Sequence, residues 1–119
     1  MSAAFIKESE DLFVVSVEGT LTFSDLKEIE KNVSTAIDRS QKIKVLILAE
    51  EFSGWGKEGD WGDVTFFSEY DKHIEKIAVV ANDKWKDELL IFLGAGLRQA
   101  AVEIFPDDGE KDARNWLQN

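Results

Sequence analysis

Two segments of this sequence carry apolar residues at successive positions rather than at alternate ones: Leu46-Ile47-Leu48 and Val79-Val80. A strand with one face in water alternates apolar and polar side chains, whereas a strand covered on both faces does not. Strands covered on both faces are typical of parallel sheets on which helices pack. The sequence therefore favours an α/β domain.

Short runs rich in Val, Ile and Phe predict the strands. They are Ala3 to Lys7, Leu12 to Glu18, Ile43 to Ala49, Ile77 to Ala81 and Ala101 to Phe105. The first two runs are separated by too few residues for a parallel crossover, so they are expected to form an antiparallel hairpin. A helical pattern precedes each of the other three. The predicted order is ββαβαβαβα, a five-stranded mixed sheet with four helices.

The first helix is predicted from Phe23 to Arg39, because Thr22 and Asp25 form a capping-box pair before an apolar stripe. The second is expected to begin at Asp60 as N-cap. The third opens near Asn82 or Asp83 and ends around glycines 94 and 96, and Gly54 to Gly62 predicts a loop. The last helix follows Pro106, with Asp107 and Glu110 as a capping pair.

The predicted core comprises Leu21, Leu26, Ile29, Val33, Ile37, Val45, Ile47, Val79 and Ile104.

Length and charge restrict the classes of partner. The 119 residues predict a single domain, 1–119, and the net charge of −10 opposes binding to nucleic acid phosphates or anionic lipids. There is no Cys for disulfides or thiolate metal sites. The N-terminus lacks the pattern of a signal peptide, and the longest apolar run, residues 89–97, is too short to cross a bilayer. We expect a cytoplasmic protein with no integral membrane segment.

Residues typical of catalytic sites are sparse, which predicts a protein that is not an enzyme. His73 is the only histidine and falls at the expected end of a helix, where it suits the helix dipole. Ser53 lacks both glycines of the G-x-S-x-G motif, and Gly94-Ala95-Gly96 ends a predicted helix, whereas a dinucleotide fingerprint opens one. No cofactor and no metal site are predicted.

Aromatic residues are concentrated in one stretch. Of the chain's 8 Phe, 4 Trp and 1 Tyr, six residues lie between positions 52 and 70: Phe52, Trp55, Trp61, Phe66, Phe67 and Tyr70. One helix face cannot bury them all, and exposed aromatics in a loop mark a ligand or partner site. Alternatively, the loop folds down and Trp55, between Gly54 and Gly56, seals the open end of the core.

The third predicted helix is apolar on more than one face, so a second surface must cover it. Neighbouring helices are one candidate. A homodimer contact through Leu90, Leu93, Gly94 and Leu97 is the other, because small residues permit close approach.

Three segments, read together, carry a family resemblance: residues 48–55 (LAEEFSGW), residues 77–85 (IAVVANDKW), and Phe105 followed by residues 113–117 (ARNWL). With the order of elements, they resemble the SpoIIAA-like branch of the STAS superfamily. The resemblance implies a βα superhelix and a non-catalytic binding module. It further implies an apolar, lipid-like small molecule or a protein partner beside residues 52–70.

The resemblance also implies an alternative function. Related STAS domains are anti-sigma-factor antagonists, which are switched by phosphorylation of a Ser or Thr in an Asp-Ser-(Ser/Thr)-Gly loop. Here Ser53 precedes Gly54 but lacks the preceding Asp-Ser. The alternative hypothesis is a regulatory switch phosphorylated at Ser53.

Overall fold

The computed structural model describes residues 3–36, 42–57, 71–93 and 100–119. Five strands form one sheet in sequential order: β1 (Ala3–Lys7), β2 (Leu12–Leu21), β3 (Ile43–Trp55), β4 (Ile74–Ala81) and β5 (Ala101–Phe105). β1 pairs with β2 antiparallel, and the remaining pairs are parallel. The mixed α/β sheet predicted from the apolar runs is confirmed.

β3 extends six residues beyond its predicted end at Ala49, so the loop expected to begin at Gly54 starts later. The extension forms because β2 also continues to Leu21, and the two strands stay paired as far as Leu21 and Trp55. The register shifts twice along this pair, and a positive φ occurs at Gly19 (67°) and at Gly54 (114°). Glycine adopts such values at little cost, and this allows the pairing to continue through the irregularities.

Three α-helices lie in the described ranges, instead of the four expected over the whole chain: α1 (Phe23–Ala36), α2 (Lys86–Phe92) and α3 (Glu110–Gln118). The helix predicted from Asp60 lies outside those ranges. The capping box of α1 is confirmed, because the Asp25 backbone N–H donates to Thr22 Oγ1 at 3.1 Å. A 3-10 helix, Asp83–Trp85, leads into α2, with the Asn82 side chain accepting from the Lys84 backbone N–H.

The capping pair predicted for the last helix is wrong. Gly109 is the N-cap of α3, and it provides no side-chain cap hydrogen bond. Glu110 instead accepts from Arg114 at 2.9 Å, and Arg114 also reaches Glu8 at 2.7 Å. These two carboxylates raise the pKa of the Arg114 guanidinium above its ordinary value, mainly through the hydrogen bond that Arg114 donates to Glu8. The ion pair between Arg114 and Glu8 therefore connects α3 to the turn between β1 and β2.

Apolar side chains cover both faces of the sheet. On one face the core packs against α1 and α2, and on the other Val14, Leu46, Ala78 and Val80 pack against α3. Of the predicted core, Leu21, Val33, Val45 and Val79 are buried, while Leu26, Ile29, Ile47 and Ile104 are half-buried. Ile37 lies outside the described residues.

Candidate ligand cavity

A cavity of about 110 Å³ lies between the sheet and the two helices α1 and α2. Sheet residues form its floor, α1 contributes one wall, and α2 contributes another. The described lining comprises Val15, Val17, Leu21, Leu26, Ile29, Glu30, Val33, Val45, Ile47, Ala49, Phe52, Trp55, Ile74, Ile77, Leu89, Phe92 and Leu93. Every one of these side chains except Glu30 is apolar, so the cavity favours an apolar occupant.

Four rings at one end of the cavity form what we call the aromatic cluster: Phe52, Trp55, Trp85 and Phe92. The ring centroids lie 5.0 Å apart for Phe52 and Trp55, 5.1 Å for Phe52 and Trp85, and 5.3 Å for Trp55 and Phe92. Most of these pairs meet edge to face, an arrangement that the ring quadrupole favours. The cluster joins the end of β3 to the start and end of the segment that carries α2.

A bulge in β3 brings Phe52 and Trp55 together. In a regular strand, residues three apart point to opposite faces of the sheet. Here Gly19 pairs with Phe52 and Thr20 pairs with Gly54, so β3 carries one extra residue, Ser53, between them. The extra residue changes the alternation, and both rings reach the same cluster. Ser53 itself is exposed.

The backbone at Gly54 allows the cluster to close. A Cβ atom at this position would lie 3.1 Å from Cη2 of Trp85, which is tighter than ordinary contact. Beyond Trp55, the Gly56 backbone N–H donates to the Leu21 carbonyl oxygen at 2.8 Å. Trp55 is therefore held by backbone hydrogen bonds on the strand side and by ring contacts on the other.

Two polar atoms within the aromatic cluster are buried without a partner. The indole Nε1 atoms of Trp55 and Trp85 are shielded from solvent, and neither forms a hydrogen bond within the described part of the chain. Nearly all buried polar groups in proteins are hydrogen-bonded, so an exception requires a physical explanation.

Glu30 is the one charged side chain of the described lining. It is 9% exposed, and Lys27 Nζ approaches its Oε1 at 3.1 Å from one turn earlier in α1. The pairing compensates part of the desolvation cost of the carboxylate. Glu30 therefore contributes only its apolar stem to the cavity wall, while its carboxylate is paired with Lys27.

Trp55 and Phe92 also form part of a shallow groove on the protein surface. The groove has a volume of about 300 Å³ and includes Glu88 and Ile91, and Ile91 is 80% exposed. Because the same two rings line both spaces, they lie between the groove and the cavity.

The structure brings together two of the six predicted site residues. Phe52 and Trp55 line the cavity, whereas Trp61, Phe66, Phe67 and Tyr70 lie outside the described residues. The sequence prediction omitted Trp85 and Phe92. Trp85 stands in one of the segments that carry the family resemblance, which was a usable signal, but Phe92 is one apolar residue within a longer apolar run.

The residues of the predicted dimer contact differ in burial, and two of them are not described. Leu93 is buried and lines the cavity, and Leu90 is half-buried. Gly94 and Leu97 lie outside the described residues. The dimer stays a prediction.

Within ranges 3–36, 42–57, 71–93 and 100–119, no three acidic or histidine side chains are grouped so that they could hold a metal ion. In the same ranges, none of the helices has the length and apolar character needed to span a bilayer.

These features define a small α/β domain with an antiparallel strand at one edge and an apolar cavity on one face of the sheet. The chain belongs to the SpoIIAA-like family, whose model matches residues 12–118. The sequence matches none of the curated proteins with which it was compared.

A solved structure shares this fold. It is the crystal structure of an uncharacterized protein of the DUF3478 family, with a SpoIIAA-like fold, from Shewanella loihica PV-4. The TM-score is 0.76 at 19% sequence identity, and the alignment covers 98% of this chain and 94% of the other. At this level of identity the likeness establishes the fold alone.

Proposed function

We propose that this protein is a non-catalytic binding module that takes up an apolar small molecule. The observation that carries the proposal is the cavity of about 110 Å³, whose described lining is apolar apart from Glu30. An apolar cavity of about 150 Å³ in another protein stays dry and binds benzene, so this cavity is close to the size of a five- or six-membered carbon ring. A larger, lipid-like ligand would exceed this volume and would extend toward the surface groove that Trp55 and Phe92 also line.

The proposal includes the absence of catalysis. Among the described lining residues only Glu30 can exchange a proton, and Lys27 is paired with it at 3.1 Å. A general acid or base needs the reacting atom within hydrogen-bond reach, together with a partner that binds the developing charge. The described lining presents no polar surface to the cavity that could serve as such a partner.

A titration with benzene tests the proposal. Binding is followed through the intrinsic tryptophan fluorescence, since Trp55 lines the cavity. The decisive variant is Ala49→Leu, which adds a branched side chain to a buried position in the lining. The matched control is Ala101→Leu, the same change at an exposed position on β5.

We expect benzene to bind the parent and Ala101→Leu with equal affinity, and Ala49→Leu at least tenfold more weakly, a loss of about 1.4 kcal/mol. Thermal unfolding of each variant checks that it folds. Equal affinity in all three proteins would place the binding site elsewhere, and no binding to the parent would remove the proposal.

A regulatory switch at Ser53 is the second candidate function. The observation that favours it is the exposure of Ser53 at the bulge, between the buried residues Phe52 and Gly54. Phosphorylation would add about −1.5 to −2 charges beside the aromatic cluster of a protein that already carries −10. A kinase-like or other protein partner would then be released by charge repulsion.

Incubation with ATP and a lysate of the source organism, followed by intact mass measurement, tests this switch. A mass gain of one phosphate in the parent that is lost in Ser53→Ala would support it. A parent that never gains the phosphate would remove the switch hypothesis.

We also propose, from the sequence, a cytoplasmic location, no nucleic acid partner and a homodimer.

A further inference from the structure

We infer that the free edge of β1 is the interface between two copies of this chain, which pair antiparallel about a two-fold axis at Phe5. The sheets of the two copies then form one continuous sheet. This inference rests on the homodimer proposed above and adds its interface, and it does not depend on the apolar ligand. It differs from the contact that the sequence predicts around Leu93, because Leu93 is buried and lines the cavity.

Unpaired backbone groups at the edge of β1 are the first argument. β1 lies at one end of the sheet and pairs with β2, and within the described ranges its backbone forms no hydrogen bond outside that ladder. In an antiparallel pair, successive residues point their backbone groups alternately toward the partner and away from it. The Glu8 N–H donates to the Leu12 carbonyl oxygen at 3.0 Å, which places the even-numbered backbone groups of β1 toward β2. The odd-numbered residues, Ala3, Phe5 and Lys7, therefore present their N–H and C=O groups to the open edge.

A two-fold axis at Phe5 matches this pattern. In that register Phe5 lies opposite Phe5 of the second copy, and Ala3 lies opposite Lys7 of the second copy. The backbone groups of both members of each pair face the shared edge, so each pair exchanges two N–H···O bonds. A register shifted by one residue would place outward groups opposite inward ones, and no ladder would form.

Side-chain size is complementary in the same register. Ile6 lies on the face of the sheet that α3 covers, because it pairs with Val14, and it is 62% exposed. In the dimer Ile6 of each copy lies opposite Ala4 of the other, so a large side chain meets a small one and loses apolar area to water. On the other face the two Phe5 rings lie opposite each other, an aromatic cross-strand pair that stabilises a sheet.

The charge distribution also favours the β1 edge. Each copy carries −10, so an interface between two copies has to avoid opposed acidic side chains. β1 contains no acidic residue. The acidic residues of the turn that follows are each paired with a basic side chain: Glu8 with Arg114, Glu10 with Lys7, and Asp11 with Lys44.

The opposite edge of the sheet, β5, lacks these properties. It has the same length of 5 residues as β1, but Glu103 is exposed at its centre. A two-fold axis at that residue would place two carboxylates opposite each other, and a charged side chain on an edge strand is a common protection against pairing. The one charge of β1, Lys7, stands at its last position. Of the two edges, β1 is therefore the one that suits a second copy.

Analytical ultracentrifugation of the full-length protein tests the inference, with Ile6→Lys as the decisive variant. Lysine on an edge strand opposes pairing, and it also reduces the net negative charge, so a weaker dimer cannot result from greater overall repulsion. The matched control is Ile91→Lys, the same change at another exposed isoleucine, which lies on α2 and is 80% exposed. Circular dichroism checks that each variant folds.

We expect the parent and Ile91→Lys to form a dimer of twice 13.4 kDa with equal dissociation constants, and the dissociation constant of Ile6→Lys to be at least tenfold higher. Hydrogen exchange followed by NMR reports on the backbone directly. In the parent dimer the amides of Phe5 and Lys7 should be protected, and in Ile6→Lys they should exchange as exposed amides. The amide at position 6, which faces β2, should stay protected in both proteins.

The outcomes separate the interface from the homodimer itself. If the parent is a dimer and Ile6→Lys has the same dissociation constant, the β1 interface is wrong and the homodimer stands; weaker pairing in Ile91→Lys alone would place the contact on α2. If the parent stays at 13.4 kDa at every concentration, the homodimer and the inference both fail, while the titration with benzene tests the apolar ligand separately. Should Ile6→Lys not fold, the Phe5 amide of the parent decides, and rapid exchange overturns the inference.

Discussion

Replacement of Gly54 by Ala tests whether the backbone at the bulge sets the position of the aromatic cluster. Gly54 has φ of 114°, a value that residues with a Cβ atom rarely adopt. The added Cβ would also lie 3.1 Å from Cη2 and 3.7 Å from Cζ3 of Trp85. Gly19→Ala is the matched control, because φ there is 67° and nothing lies within 4 Å of the added atom.

The structure gives different magnitudes for the two variants. A positive φ at a residue with a Cβ costs about 1–2 kcal/mol, and reduced freedom of the unfolded chain returns about 0.4–1 kcal/mol in both cases. Gly19→Ala should therefore lower the free energy of unfolding by about 1 kcal/mol. Gly54→Ala should lower it by about 2–3 kcal/mol, because φ lies in a more restricted region and the Trp85 ring must move.

Urea unfolding followed by tryptophan fluorescence measures both values, and near-ultraviolet circular dichroism reports the packing of the indole rings. We expect the dichroism of the folded state to change in Gly54→Ala and to equal that of the parent in Gly19→Ala. In thermal unfolding, each 1 kcal/mol corresponds to a shift of about 4 °C for a domain of this size. Equal losses of stability in the two variants, with unchanged dichroism, would refute the argument.

Three further predictions concern the core, the end of α3 and assembly. Leu46→Ala, at a position that is 0% exposed, should cost about 3–5 kcal/mol, and Ile47→Ala, at a half-buried position, about 2 kcal/mol. Equal urea midpoints for the two variants would contradict this dependence on burial. Lys76 Nζ donates to the Trp116 carbonyl oxygen at 2.9 Å and to the carbonyl oxygen of Asn119, at the end of α3. Lys76→Met should therefore lower the free energy of unfolding in urea by about 1–2 kcal/mol. An unchanged urea midpoint would show that these hydrogen bonds do not stabilise the fold. Light scattering over a range of concentrations should give twice 13.4 kDa for the homodimer, and a constant value of 13.4 kDa would exclude it.

Local sequence signals predicted much of the fold. The capping box at Thr22 and Asp25 fixed the start of α1, because both hydrogen bonds join residues three apart. Successive apolar residues in β3 and β4 predicted parallel strands covered on both faces, and packing on both sides confirms it. The capping pair at Asp107 and Glu110 failed because the helix begins at Glu110 with Gly109 as its N-cap, and the Glu110 side chain accepts from Arg114 instead.

The aromatic richness near Trp55 was visible in the sequence, and it correctly selected Phe52 and Trp55 as residues of one cluster. The reason that they meet was not visible. A regular strand would separate them, and the bulge at Ser53 depends on pairing with Gly19 and Thr20 of β2, more than thirty residues earlier in the chain. Such pairing leaves no local signal.

The sequence by itself determined the strands, the mixed sheet and the family, because these depend on short-range periodicity, caps and ordered segments. The tertiary structure alone decided the cavity, the contribution of Trp85 and Phe92, and the burial of Glu30. A cavity is the space left where side chains from α1, α2 and the sheet fail to fill the core. Its size and lining therefore follow from how distant segments pack, and no single segment encodes them.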